Sequence, residues 1–99
     1  MANDNDAVML QKLGDALTSL QVKYRASALA DRMAMKPSLD ELMSDYSTYQ
    51  LKLLKEGIIT TADDLRTMDD IKSAIDSAAK KEALAAAIAK TIGFIATKV

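Results

Sequence analysis

Residues 53–65 read Leu-Leu-Lys-Glu-Gly-Ile-Ile-Thr-Thr-Ala-Asp-Asp-Leu. A leucine-bearing helix closes on Lys55 and Glu56, and Gly57 supplies the left-handed residue that follows a helix end. Ile58 and Ile59 then turn towards the core, and a threonine restarts a helix. Thr60 with Asp63, and Thr61 with Asp64, both have capping-box spacing, so the start is fixed to within one residue. A junction of this kind joins helix to helix. Nowhere do β-branched residues alternate with polar ones for a strand's length, and the chain reads as all-α.

Upstream of this junction, Ser38-Leu39-Asp40-Glu41 forms a second capping box, directly after Pro37. It predicts a helix over about 38–56 with Leu39, Leu42, Tyr46, Tyr49 and Leu53 facing inward and Met43 and Leu54 at the edges. Before it, Leu10, Leu13, Leu17, Leu20 and Tyr24 recur at helical spacing and predict a helix over about 6–34. Asn3, Asp4, Asn5 and Asp6 offer several N-caps. In the second half of that helix the apolar row rotates to Val22, Ala26, Leu29 and Met33, which implies a different neighbour there. Pro37 disfavours helical geometry in the residue before it and predicts a break near Met35.

Downstream, Met68, Ile71, Ile75, Ala78, Glu82, Ala85, Ala89, Ile92, Ala96 and Val99 keep 3,4 spacing. They predict a third helix over about 62–97, with a bend expected near Met68-Asp69 or at Lys80-Lys81-Glu82. A second apolar row, Leu84, Ile88 and Ile95, flanks the first. The expectation is a single helical domain over 1–99, a three-helix antiparallel bundle whose long Ala-rich C-terminal helix is able to self-associate. The stretch Leu53 to Leu65 also resembles, loosely, the hairpin turn of the SHOCT family, short helical modules with a Gly-Ile-Ile-Thr turn between two helices. Where that family leads one to expect an acidic run and then an aromatic residue, this chain has Ala62-Asp63-Asp64-Leu65, displaced by one.

Ninety-nine residues, 49% hydrophobic and 27% charged with a net charge of -1, suit one small globular domain and exclude a disordered chain. The absence of Cys and His removes disulfides, zinc-thiolate and iron–sulfur sites and imidazole catalysis. Asp63-Asp64, Asp69-Asp70 and Asp76 are carboxylates at spacings that a divalent ion can use, but no glycine-turned ligand loop accompanies them. They read as charges on a solvated face near a positive helix end. Ser77 and Lys81 have the i,i+4 spacing of a dyad without a glycine elbow or oxyanion donors. Tyr24, Tyr46 and Tyr49 read as half-buried rings with wet hydroxyls. No cofactor, metal or catalytic residue is expected. A helix–turn–helix around Gly57 would open on Asp63 and Asp64, the wrong sign for phosphates, so nucleic acid is an improbable partner.

The start, Met-Ala-Asn-Asp-Asn-Asp, is acidic where a secretory leader is basic, and Ala83 to Ala96 is short for a membrane span and carries Lys90. A cytoplasmic protein is expected. From Lys80 onward an apolar rod carries Lys80, Lys81, Lys90 and Lys98 against Glu82. Two apolar rows on one helix require two sets of neighbours. The sequence therefore predicts a non-enzymatic protein–protein interaction module of bacterial or phage compactness, homo-oligomeric or bound to another protein through Leu84, Ile88, Ile92, Ile95 and Val99. The alternatives are a membrane-surface binder through Ala83 to Val99 and, lower, a nucleic-acid binder.

Overall fold

Thr61 settles the register left open above. Its hydroxyl accepts from the Asp64 backbone N–H at 3.1 Å, while the Asp64 carboxylate accepts from the Thr61 N–H at 3.0 Å. Gly57, at φ 66°, takes the left-handed conformation expected after the preceding helix. The computed structural model describes residues 4–57 and 60–99, so the inward turn expected of Ile58 and Ile59 and the capping role of Asn3 lie outside the described residues. Among them the regular structure is all helical: α1 (Asp4–Ala26), α2 (Leu29–Lys55), α3 (Ala62–Ser77) and α4 (Lys81–Ala96).

Four helices replace the expected three, and the breaks fall elsewhere. The helix expected over 6–34 ends at Ala26, where Ser27 donates to the Lys23 carbonyl and Ala28 turns extended. The break expected at Met35 is absent: α2 runs straight through Pro37, and Ser38 is an interior residue of that helix rather than its cap. A proline inside a helix costs about 3 kcal/mol, because it cannot donate and crowds the carbonyl four residues back. Here Met35, Leu39, Leu42, Tyr49 and Leu53 are all buried on one stripe that spans the proline. Pro37 itself faces solvent on the opposite side. Burial of five large side chains outweighs the local penalty.

The helix expected over 62–97 is likewise two. Ala78 and Lys80 are extended, close to one of the two sites where a bend was expected. The break is held from outside: the Lys23 ammonium on α1 donates to the carbonyls of Asp76 at 2.9 Å and Ala78 at 2.8 Å. A cation there matches the negative end of the α3 dipole.

The arrangement also departs from a simple antiparallel bundle. Asn5 and Asp6 meet Thr60, Lys12 meets Asp69, and Lys23 meets the end of α3, so α1 and α3 lie side by side and parallel. α4 returns antiparallel to α3 and brings Lys98 to Asp64. α2 packs along α4, with Tyr49 edge-on to Phe94 at a ring separation of 6.2 Å. α2 and α3 do not pack against each other. One core joins Met9, Leu13, Leu17 and Leu20 of α1 to the buried stripes of the other three helices. The molecule measures 43 × 22 × 19 Å. α2, at 27 residues about 40 Å long, runs nearly its full length.

Candidate functional site

The C-terminal row was the expected contact surface, and the fold turns most of it inward. Leu84, Ile88 and Ile95 are buried in the protein's own core, Ile92 is half-buried against it, and Val99 alone stands 50% exposed. The physical reason lies in the break at Ala78–Lys80. It folds α4 back on α3, so one rod becomes two and each apolar row finds a neighbour within the chain. The same burial removes from the surface the side chains that an interfacial membrane helix would present to lipid. Among the described residues no helix is long and apolar enough to cross a membrane.

The acidic residues are dispersed by their partners. Asp63 pairs with Arg66, Asp69 with Lys12 at 2.7 Å and Asp76 with Lys72 at 2.7 Å, all at the surface. Among the described residues no group of three or more His, Cys, Asp or Glu side chains gathers where it could hold a metal ion. Ser77 and Lys81 share no helix, because α3 ends at the former and α4 begins at the latter. The α2–α3 junction does not form a helix–turn–helix, since its two helices diverge to different neighbours.

A buried polar cluster at the α3 end of the molecule went unread in the sequence. Asp6, expected as an N-cap, sits within the first turn of α1, fully buried, and its Oδ1 accepts from the Thr60 N–H at 3.0 Å. The Asn5 amide donates to the Thr60 carbonyl at 3.3 Å, so α1 takes up both backbone groups of the residue that precedes the α3 cap. Tyr49 is fully buried here, a correction to the half-buried ring expected; Tyr24 and Tyr46 are half-buried, and the Tyr24 hydroxyl donates to the Arg32 carbonyl at 3.2 Å. Burial above all, with the charges of Asp64 and Asp6 adding, pushes the Tyr49 phenol up to about 12, while the neighbouring Thr60 hydroxyl pulls the other way. At Asp64, burial works to raise the pKa. The Lys98 ammonium at 2.5 Å and the Thr61 N–H outweigh it and hold the carboxyl below its ordinary value. The cluster ties the start of α1 to the residue before the α3 cap, and Lys98, beyond α4, to the first turn of α3.

At the opposite end a groove of about 530 Å³ opens where α2 and α4 both begin, lined by Lys23, Ala28, Asp31, Lys80, Lys81 and Glu82 among others. Neither helix start has a side-chain cap. Lys23 is committed to the carbonyls of Asp76 and Ala78, and the other two lysines, Lys80 and Lys81, share the lining with Asp31 and Glu82.

The apolar surface lies elsewhere, along α2. Seven large hydrophobic side chains among the described residues are exposed, and four of them, Leu29, Met33, Leu51 and Leu54, belong to this helix at between 54% and 69% exposure. At 3.6 residues per turn these four fall within an arc of about 60°, opposite the buried stripe. Sequence reading placed Leu29 and Met33 on one helix and Leu54 on the edge of another. The signal that unites them, the continuity of α2 through Pro37, is invisible locally. No protein-family model, no curated protein and no solved structure matches this chain, so the likeness of residues 53–65 to the SHOCT turn rests on those residues alone.

Proposed function

We propose that this protein is a non-enzymatic protein–protein interaction module whose contact surface is the outward face of α2. The observation that carries the reading is the concentration of Leu29, Met33, Leu51 and Leu54 on one uncovered face of the longest helix. Exposed apolar side chains are ordinary singly; four aligned on one rod that runs the length of the molecule are the pattern of an interaction surface. The rest of the fold backs that rod, with one core beneath it.

The test compares the protein with a Leu51→Lys/Leu54→Lys variant. Both positions are exposed, so the variant keeps its helical circular dichroism and its unfolding midpoint. Affinity purification with the parent chain recovers a stoichiometric protein partner, itself included, that the variant loses. Recovery of identical material by both chains refutes the assignment of the surface, and a parent that retains nothing, with monomeric mass throughout, refutes the module.

A further inference from the structure

We infer that Lys23 is the latch of a hinge between α3 and α4, and that its release lets residues 62–96 run as one helix that hands α4 to a second copy of the chain. The Lys23 ammonium donates to the carbonyls of Asp76 at 2.9 Å and of Ala78 at 2.8 Å. In a continuous helix those same carbonyls would accept from the N–H groups of Lys80 and Glu82, four residues on. Lys23 therefore competes directly with helix continuity: while it holds both acceptors, α3 ends and α4 must start afresh. On the other side of the break α4 begins at Lys81 without a side-chain cap, and the N–H groups of a first turn have no partner within their own helix.

The chain at the break is itself suited to helix. Ser77-Ala78-Ala79-Lys80-Lys81 contains neither Gly nor Pro, and Ala and Lys rank among the strongest helix formers. The row Met68, Ile71, Ile75, Ala78, Glu82, Ala85, Ala89 and Ile92 keeps its 3,4 spacing straight through the turn. Tertiary contacts therefore impose the break: Lys23 holds the end of α3, and burial of Leu84, Ile88 and Ile95 holds α4 against the core. A helix over residues 62–96 is about 50 Å long. The whole molecule measures 43 Å in its longest direction, so straightening the hinge carries α4 off its own core.

A freed α4 needs a complement for Leu84, Ile88 and Ile95, and a second copy opened in the same way supplies the identical one. Phe94 again meets a Tyr49 edge-on and Lys98 again pairs with an Asp64, as they do within one chain. Reciprocal exchange restores the contacts of α4 and adds helical hydrogen bonds across the hinge, which makes it a low-cost route to a dimer. With the latch shut the chain is a monomer. Over a turn of three residues, α4 returns to its own core at an effective concentration on the order of millimolar. Loss of a hydrogen-bonded ammonium shifts each hinge by about tenfold. Two hinges open per dimer, so the dissociation constant falls roughly a hundredfold when Lys23 is removed.

Lys23→Met keeps the apolar stem and removes the donor, whereas Lys23→Arg keeps a planar donor group able to span both carbonyls. Solution mass is followed by light scattering from roughly 1 µM to 1 mM, and amide hydrogen exchange at Lys80 and Glu82 is read by NMR. Lys23→Met should double from 10.7 kDa at concentrations roughly a hundredfold below any at which the parent does. In that dimer the Lys80 and Glu82 amides should exchange at least tenfold more slowly than in the parent, and Lys23→Arg should behave as the parent. Adding Ala79→Pro to Lys23→Met should restore the monomer. Ala78, at φ -68° and ψ 115°, already has the extended geometry that precedes a proline, whereas proline within a continuous helix is disfavoured by about a hundredfold. A Lys23→Met chain that is folded and monomeric over the whole range overturns the proposal. Doubled mass with unprotected amides means pairing through another surface, such as the outward face of α2, and also overturns it, as does a dimer that Ala79→Pro leaves intact. If Lys23→Met does not fold, the parent is unfolded in urea and refolded at roughly 10 µM and roughly 1 mM. A dimer with protected amides at the higher concentration, absent from Ala79→Pro, is then the expected result, and a monomer at both concentrations overturns the latch.

Discussion

Truncation along α4 separates an internal row from an external one. Ile88 and Ile95 are fully buried, Ile92 is half-buried and Val99, just beyond α4, is half exposed, all within the last twelve residues. Replacing a buried isoleucine with alanine removes three carbons and leaves a cavity, a loss of about 2–5 kcal/mol. A domain of this size has roughly 5–15 kcal/mol of stability in total, so either substitution consumes a large share. With a urea dependence near 2 kcal/mol per molar, a loss of about 3 kcal/mol moves the midpoint down by roughly 1.5 M. The thermal midpoint falls by about 12–24 °C. Ile92→Ala should cost about half as much, and Val99→Ala should stay within about 0.5 kcal/mol of the parent. The assay is urea unfolding followed by far-ultraviolet circular dichroism, with solution mass recorded on the same samples. Burial within the chain predicts large midpoint shifts and an unchanged native mass. If Ile88→Ala and Ile95→Ala leave the midpoint in place and instead split an oligomer, the row is an intermolecular seam and the packing of α4 described above is wrong.

The other expectations address the caps, the proline and the buried cluster. Thr61→Ala should lower stability by about 1 kcal/mol through loss of the capping box, whereas Ser38→Ala, inside α2, should change it by less than about 0.5 kcal/mol; the reverse order would put a helix start back at Ser38. Pro37→Ala should raise the thermal midpoint, by the equivalent of about 2 kcal/mol, because the Met33 carbonyl regains a donor while the unfolded chain gains some freedom. A fall in the midpoint would show that Pro37 ends a helix. At high pH, the raised Tyr49 pKa means the unfolded state ionises first, so its contribution is complete below pH 10 and is lost as pH rises from 10 towards 12, by roughly 2–3 kcal/mol. Tyr49→Phe should remove that part of the alkaline decline, which parallel unfolding curves at pH 9 and 11.5 will show. At low pH the sign reverses for Asp64, whose lowered pKa supports folding above its unfolded value of 3.8 and ceases to do so as pH falls through its folded value. Asp64→Asn should therefore flatten the acid limb, and an unaltered acid midpoint would rule out the Lys98 pairing as its source.

What could be read from the sequence followed the strength of local chemistry. The Thr61 capping box and the left-handed Gly57 need only neighbours a few residues away, and both stand as read. Ser38 carried an equally good local signature, yet no cap forms there. A capping side chain acts only where the chain enters a helix, and the stripe from Met35 to Leu53 keeps this segment helical on both sides. The turn at Ser27-Ala28 had no signal, since Ala, Ser and Leu all tolerate helix. The break at Ala78–Lys80 is completed by Lys23, more than fifty residues away, which no window along the chain can register. Asp6 was legible as a capping residue and is used as one, but for the N–H of Thr60 at the head of a different helix.

These departures from local expectation have a common consequence. Had the first helix continued to residue 34 and broken at Pro37, Leu29 and Met33 would have extended the row of Val22 and Ala26. Leu51 and Leu54 would then have belonged to a separate, shorter helix at an unrelated angle. The early turn at Ser27 and the continuation through Pro37 transfer Leu29 and Met33 onto the rod that carries Leu51 and Leu54. Pro37 lies on that same outward half of α2, so the backbone bond it forfeits is lost on the side that faces water rather than the core. A chain selected for stability alone gains nothing from keeping proline there, because alanine would serve the buried stripe equally well. Its position beside Lys36, near the middle of the exposed face, makes Pro37→Ala informative twice. The substitution should stabilise the fold, and any accompanying change in partner binding would show that the proline shapes the exposed α2 face as well as straining the helix.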